Sequence, residues 1–224
     1  MFPLYKDKQT IKTMINKTIS VMKKLKMKYE IVMVDDGCPE HSGQLAKKEI
    51  KNKKNIKVIF HKKNLGYGAA IKTGLKNCKY KWVFQTDGDD EYDVGDLIKL
   101  IKFTNKSDLI ITYRFKKKYN TSRIIISWIY NVILRILFST TFKDISTGSR
   151  LINKEIFKKV SLKTNSSFIG AELAIKSKYS GIKVSEVGIH TYPRTFGSGS
   201  SVSIKNIILT IIDMIELYLN FKKI

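Results

Sequence analysis

Short apolar runs alternate with helix-spaced segments through the first half of the chain, and that order restricts the fold more than any other feature. Ile11, Met14, Ile15, Ile19, Met22 and Leu25 recur at helical spacing, which predicts an amphipathic helix over residues 8 to 27. Glu30-Ile31-Val32-Met33-Val34 is an apolar run ending at Asp35-Asp36-Gly37, a strand followed by a turn. A polar helix over 41 to 52 leads to the strand Ile56-Lys57-Val58-Ile59-Phe60, and Asn64-Leu65-Gly66-Tyr67-Gly68 opens a helix that reaches Cys78. Strand 81 to 86, helix 95 to 104 and strand 108 to 112 complete a βαβαβ series. That alternation specifies an α/β fold, a mostly parallel sheet with helices on both faces. At 224 residues the chain suits one full-sized core rather than two.

The strand at 81 to 86 runs into Asp87-Gly88-Asp89-Asp90-Glu91-Tyr92-Asp93, which holds five of the 19 acidic residues of a chain whose net charge is +23. Such a cluster repels itself unless a cation sits in it. Its place at the C-terminal end of a strand is where open α/β sheets bind ligands. The first reading is a divalent-metal site for a phosphate-bearing substrate. A lone Asp-x-Asp is weak evidence, since acids are common at strand ends.

The basic charge suggests polyanionic partners such as anionic lipid or phosphorylated substrates, although a general excess of Lys, Asn and Ile would produce it without any binding role. No zinc-finger spacing, aromatic-interleaved basic motif or basic recognition helix is present, which argues against nucleic acid. Cys38 and Cys78 lack metal-ligand spacing and follow no secretory leader, so free thiols in a cytosolic setting are expected.

After residue 113 the pattern changes. From Arg123 to Phe138 the main polar positions are Arg123, Ser127, Asn131 and Arg135, four residues apart, so they form one narrow stripe on an otherwise apolar helix. The stretch is shorter than the roughly 20 apolar residues of a membrane span and carries two arginines. An interfacial helix in a bilayer surface fits it; a helix buried between sheet and tail is the alternative. The tail over 203 to 221 repeats the design, with Asn206, Thr210, Asp213, Glu216 and Asn220 against Ile204, Ile207, Ile208, Ile211, Ile215 and Leu219. Packing on the domain, homo-oligomerisation and shallow lipid insertion all remain open for it.

Three further segments accompany the acidic run in a consistent order: Val34-Asp35-Asp36-Gly37, Asn64-Leu65-Gly66-Tyr67-Gly68-Ala69 and Asp144-Ile145-Ser146-Thr147-Gly148-Ser149-Arg150. With them the chain resembles the family 2 glycosyltransferases of GT-A fold, most of all the polyprenyl- or dolichyl-phosphate hexose synthases, from about residue 3 to residue 200. The resemblance implies a Rossmann-like domain over 1 to 200, with an acceptor region at 113 to 141, and an amphipathic helix over 201 to 224. It implies that Pro3, Tyr5, Asp7, Asp35, Asp36 and Gly66 shape the nucleotide-sugar pocket, Asp36 meeting the base. Asp87, Asp89 and Glu91 would hold Mg²⁺ or Mn²⁺, a hard-oxygen set suited to either ion. Asp90 is read as solvated and Asp93 as a helix cap.

On the acceptor side the resemblance assigns Arg114, Arg123 and Ser127 to a lipid phosphate. Arginine is scarce in this lysine-rich chain and forks onto phosphate better than an ammonium does. Arg150 matches a further motif arginine and Glu172 a motif acid, and both join Asp89 and Arg123 as catalytic candidates. His190-Thr191-Tyr192-Pro193-Arg194 with Gly197 resembles the loop that closes over the donor diphosphate, though His190 could equally be a strand-end side chain. His41 and His61 are expected on the surface. The family also has a hydrophobic strand ahead of Pro3, where only Met1 and Phe2 stand. Either the chain starts further upstream or that central strand is nearly absent.

The activity this implies is inverting transfer of a hexose from a GDP- or UDP-linked sugar to a polyprenyl phosphate, by a protein peripheral on the cytoplasmic face of a membrane. An acceptor phosphate is already anionic, so no strong base is needed. The alternatives are transfer to a glycan hydroxyl, with Glu172 or an acid near 89 to 91 as base, and a non-catalytic membrane-surface binder.

Overall fold

The computed structural model describes residues 1–51, 53–115, 121–193 and 203–221, with the backbone alone given for 121–123. Strands β1 (Phe2–Leu4), β2 (Ile31–Asp35) and β3 (Ile56–Phe60) alternate with helices α1 (Ile11–Leu25), α2 (Ser42–Glu49) and α3 (Tyr67–Asn77). Then come β4 (Trp82–Gln85), α4 (Leu97–Ile101), β5 (Leu109–Arg114), α5 (Thr121–Phe138), β6 (Arg150–Asn153), α6 (Ile169–Tyr179), β7 (Val184–Ile189) and α7 (Ile204–Phe221).

Hydrogen-bond ladders give β1-β2-β3 and β4-β6-β5-β7. Met1 joins the two: its amino group donates to the Phe84 carbonyl at 2.5 Å and its carbonyl accepts from Thr86 N–H at 3.1 Å. That is the bonding pattern of a parallel bridge. The hydrophobic strand that the family has around Pro3 is present as the three residues of β1, in parallel register with β2 from Phe2↔Met33 to Leu4↔Asp35. Of the seven strands among the described residues, β6 alone runs against its neighbours, antiparallel to both β4 and β5. The mostly parallel sheet read from the sequence therefore stands, with one reversal.

Apolar cores lie on both faces of the sheet. One packs α1 on Phe2, Leu4, Met33 and Leu151, and the other packs α3 and α6 on Val32, Val83, Leu109 and Ile152. The helix expected over 95 to 104 opens as a 3-10 turn at Val94–Asp96, where Asp93 accepts from Gly95 N–H at 2.8 Å, and continues as α4.

Helices α5 and α7 are oriented inside out. On α5, Asn131, Leu134 and Phe138 are buried against the domain, whereas Ile125, Ile126, Trp128, Ile129, Ile133 and Ile136 are exposed, Ile136 at 74%. On α7, Met214 and Leu217 are buried and Ile204, Ile207, Ile208, Leu209, Ile211, Ile212, Ile215 and Leu219 are exposed. The two helices meet where Phe138 packs edge-on to Tyr218 and Phe221, at 6.0 and 5.9 Å between ring centres. No helix among the described residues is long and apolar enough to cross a membrane.

This orientation has a direct test in stability. Leu134→Ala opens a cavity in the core and should cost about 2–4 kcal/mol, whereas Ile136→Ala should change stability by less than about 0.5 kcal/mol. Urea unfolding of the two variants reads the difference; equal costs would mean that α5 packs the other way round.

Candidate active site

The C-terminal ends of β1, β2 and β4 meet the loops before α3 and β6 around one cavity of about 2100 Å³. It extends from Pro3, Tyr5, Asp7 and Asp36 at one end, past Asp87, Asp89 and Glu91, to Arg114 and Ser127, and then between Ile129 and Ile133 of α5 and Ile207 and Ile211 of α7. Isoleucines of both helices thus enter its wall there, beside the polar Asn206, Thr210 and Asp213 of α7.

At the polar end, Asp36 leaves β2 and accepts Leu65 N–H at 2.9 Å on one oxygen and Gly66 N–H at 2.9 Å on the other. This holds the turn that opens α3. Gly66 is required there: its φ is +101°, and a Cβ would lie 2.5 Å from the Asn165 carbonyl oxygen. Asp35, next in the chain, points the other way and accepts Cys38 N–H at 2.8 Å and Gly43 N–H at 2.6 Å at the start of α2. Asp7 accepts from its own loop, Tyr5 N–H at 2.9 Å. His61, expected on the surface, is half-buried instead. It bonds Asp36 at 2.6 Å and Thr73 at 2.9 Å with its side chain 8% exposed, because the chain turns back across α3 after β3. His41 is exposed, as expected.

The acidic run divides in two. Asp87, Asp89 and Glu91 line the cavity. Asp90 turns away on a left-handed residue, φ +62°, to pair with Lys17 of α1 at 2.7 Å. Gly88 gives the turn its tightness, since a Cβ there would sit 2.9 Å from the Pro3 carbonyl oxygen. Tyr67 donates its hydroxyl to Asp87 at 2.8 Å, and its pKa is pushed well above the ordinary 10 by burial and by the Asp87 charge. Behind Asp87 lies the buried Arg150, the first residue of β6, whose guanidinium donates to the Thr147 carbonyl. Burial lowers its pKa while Tyr67 and Asp87 oppose that shift.

No three His, Cys, Asp or Glu side chains among the described residues stand close enough to hold an ion by themselves. The expected three-carboxylate set is therefore not assembled by the protein alone. Carboxylates lining a cavity with room for a diphosphate still suit Mg²⁺ or Mn²⁺, because phosphate oxygens can complete the shell.

At the other end Arg114 lies bidentate on Asp144, Nε at 2.7 Å and Nη2 at 3.0 Å. Nη2 also reaches Ser127 Oγ at 3.2 Å and Ser146 Oγ at 2.7 Å. Arg114 and Ser127, two of the three residues that the resemblance assigned to the acceptor phosphate, are thus in contact. Arg123 lies within α5, but its side chain, with Arg194 and Gly197, falls outside the described residues. Asn131 locks the arrangement by donating to Asp144 at 3.3 Å and accepting Ile145 N–H at 2.9 Å. The sequence reading gave Asp144, Ser146 and Asn131 no role; the signal was there, in a quoted motif and on a polar stripe. His190 is exposed, its ring 5.9 Å from that of Phe115, and Tyr192 N–H donates to the Glu91 carbonyl at 3.0 Å. The segment before Arg194 therefore reaches the acidic turn.

Glu172 accepts Lys163 N–H at 2.9 Å, Thr164 N–H at 3.0 Å, the Thr164 hydroxyl at 2.8 Å and the Lys176 ammonium. Burial would raise its pKa, but these donors together hold it below the ordinary 4.5. Its contribution to stability is then fully present above that value and disappears as pH falls through the folded pKa. Wild type should exceed Glu172→Gln in unfolding free energy at about pH 6, and the gap should narrow toward about pH 3. Urea titrations across that range check it; a constant gap would contradict the ionised, four-donor state.

Residues 1–161 match the family model for glycosyl transferase family 2. An uncharacterized protein of Methanocaldococcus jannaschii is 30% identical over 190 residues, covering 80% of this chain and 76% of that one. The dolichol-phosphate mannosyltransferase of Pyrococcus furiosus is 29% identical over 205 residues, 88% of this chain but 55% of the relative, so the chain spans about half of that enzyme. The dolichyl-phosphate beta-glucosyltransferase of Trichomonas vaginalis is 23% identical, with 96% and 71% covered. Among solved structures, glucosyl-3-phosphoglycerate synthase from Mycobacterium tuberculosis in complex with Mn²⁺, UDP and phosphoglyceric acid aligns with a TM-score of 0.72 at 12% identity, over 95% of this chain and 76% of that one. Mannosyl-3-phosphoglycerate synthase from Rubrobacter xylanophilus gives 0.72 at 11% identity, over 99% and 73%. At such identities the likeness speaks for the fold. The chain belongs to glycosyl transferase family 2 and has the GT-A fold.

Proposed function

We propose that the protein transfers a hexose from a GDP- or UDP-linked sugar to a polyprenyl phosphate, working as a peripheral protein on the cytoplasmic face of a membrane. One observation carries this reading: Arg114 and Ser127, in contact at 3.2 Å, line the same cavity as Ile126, Ile129 and Ile133 of α5 and Ile207, Leu209 and Ile211 of α7. A ligand that is an anion at one end and a hydrocarbon at the other suits a guanidinium and hydroxyl beside these apolar side chains. The relatives that act on dolichol phosphate support the same choice. The exposed apolar faces of α5 and α7 suit shallow insertion into a bilayer surface, and the basic excess of the chain suits an anionic one.

The donor enters at the Asp36 end, with its base against Asp36, Pro3 and Tyr5 and its diphosphate beside Asp87 and Asp89. Asp87, Asp89 and Glu91 would hold Mg²⁺ or Mn²⁺ only together with diphosphate oxygens, and the ion would neutralise charge on the departing nucleoside diphosphate. Tyr67 fixes the direction of Asp87, and Arg150 balances the charge of the acidic turn from behind. Arg114, Ser127 and Arg123 hold the acceptor phosphate and offset its repulsion from the donor diphosphate. The acceptor oxygen, already anionic, attacks the anomeric carbon from the face opposite the leaving group, and configuration inverts. Glu172, satisfied by four donors, serves as a fastener of the 163–164 loop in this scheme rather than as a base. The loop bearing His190 and Arg194 is assigned to cover the diphosphate.

The test is transfer of radiolabelled sugar from GDP- and UDP-hexoses to undecaprenyl or dolichyl phosphate with Mn²⁺. A lipid-extractable, acid-labile product is expected, and Arg123→Ala and Arg114→Lys should each lower its formation about 10²-fold or more, with nucleotide binding retained. Transfer to a glycan hydroxyl that ignores Arg123→Ala would overturn the lipid-phosphate assignment. Failure to release nucleoside diphosphate from any of these donors would leave a binder in place of an enzyme.

A further inference from the structure

His61 has no part in the chemistry above, yet its side chain is only 8% exposed and bonds Asp36, which lines the donor end of the cavity. It follows β3, and its backbone N–H donates to the Asp35 carbonyl at 2.9 Å, so the ring is carried to the rim of the sheet by the β2–β3 pairing. There it spans two elements. Nδ1 lies 2.6 Å from Asp36 Oδ1, and Nε2 lies 2.9 Å from Thr73 Oγ1 on the second turn of α3. A carboxylate can only accept, so Nδ1 carries a proton toward Asp36. The Thr73 hydroxyl can donate to Nε2 or accept from it, so the bridge holds whether the ring is neutral or protonated.

The consequence falls on Asp36. An ionised carboxylate has room for about four donors, and His61, Leu65 N–H and Gly66 N–H make three. Two of these come from one short loop and would turn with it. His61 is the side chain that ties the carboxylate to the sheet and to α3 instead. Asp36 lines the cavity, so one more donor, arriving with a ligand, completes its set.

We infer that His61 is a positioning residue for nucleotide recognition: it fixes the Asp36 carboxylate in the direction that accepts a hydrogen bond from the donor's base. This rests on the proposed function, and it adds a residue that neither the acidic turn nor the acceptor phosphate site requires. Its distinguishing consequence is that removing His61 weakens binding through the base and leaves binding through the diphosphate alone.

Titration calorimetry with Mn²⁺ separates the two, using UDP, GDP and the base-less ribose 5-diphosphate. For whichever nucleoside diphosphate the wild type binds, His61→Ala should raise Kd about tenfold, as expected for losing one charge-assisted hydrogen bond, while ribose 5-diphosphate shifts less than about twofold. His61→Asn, whose amide N–H can stand where Nδ1–H stood, should recover most of the loss. Should the alanine variant fail to fold, His61→Gln replaces it, keeping reach to Thr73 and lacking the Asp36 contact. An equal loss for both ligands, or none for the nucleoside diphosphate, overturns the inference while the proposed function stands. A wild type that binds neither UDP nor GDP removes both.

Discussion

The bidentate contact between Arg114 and Asp144 fixes which way α5 faces, and most of the site depends on it. Both side chains are nearly buried, at 6% and 5% exposure. Desolvating two charges offsets much of their attraction, so such a pair adds little net stability, but removing one partner strands the other at a cost of about 3–5 kcal/mol. Ser127 and Asn131 of α5 bond into this pair, so this part of the polar stripe faces the domain, while Arg135, one turn on, is exposed. Leu134 and Phe138 go inward beside it, and the rest of the apolar surface, Trp128 included, is left outside. An otherwise unfavourable exposed surface is thereby held next to a guanidinium suited to phosphate, which is the juxtaposition an amphiphilic acceptor needs.

A second charge arrangement organises the donor end. The single reversed strand, β6, begins with Arg150, and its antiparallel pairing with β4 sets Arg150 opposite Gln85. The guanidinium is thus delivered beneath the acidic turn that leaves β4, close to Asp87 and Tyr67. Gly148 allows this closeness, since a Cβ there would lie 2.0 Å from an Asp87 oxygen. The turn carries its negative charge with a counter-charge behind it and the cavity in front.

Much of this was legible in the sequence. Strands β2 to β5 and the helices between them could be read because each apolar run is short and bounded by polar residues. Helix α6 could not: Ile169 to Ile175 are buried on every side, so no amphipathic stripe marks it. Strand β6 follows a loop whose motif drew attention to chemistry rather than to backbone. Periodicity gave the stripes of α5 and α7 but not their direction, because facing is set by distant partners, Asp144 for α5 and, for α7, Ser167, whose hydroxyl meets Thr210 at 2.9 Å. Arg114 and Ser127, which the resemblance grouped with Arg123, come into contact, whereas Asp35 and Asp36, adjacent in sequence, point to opposite sides because successive residues at a strand end do. His61 carries no local signal at all; only the fold brings it to Asp36.

The claim that joins these observations is that the outward face of α5 meets lipid while its inward face holds the acceptor phosphate site. Trp128 is 61% exposed in the middle of that face and reports on it directly. In a Trp82→Phe background, its fluorescence should be quenched by vesicles of anionic lipid brominated along the acyl chain. Unchanged Trp128 emission with such vesicles, with the protein folded and bound to them by sedimentation, would contradict the account.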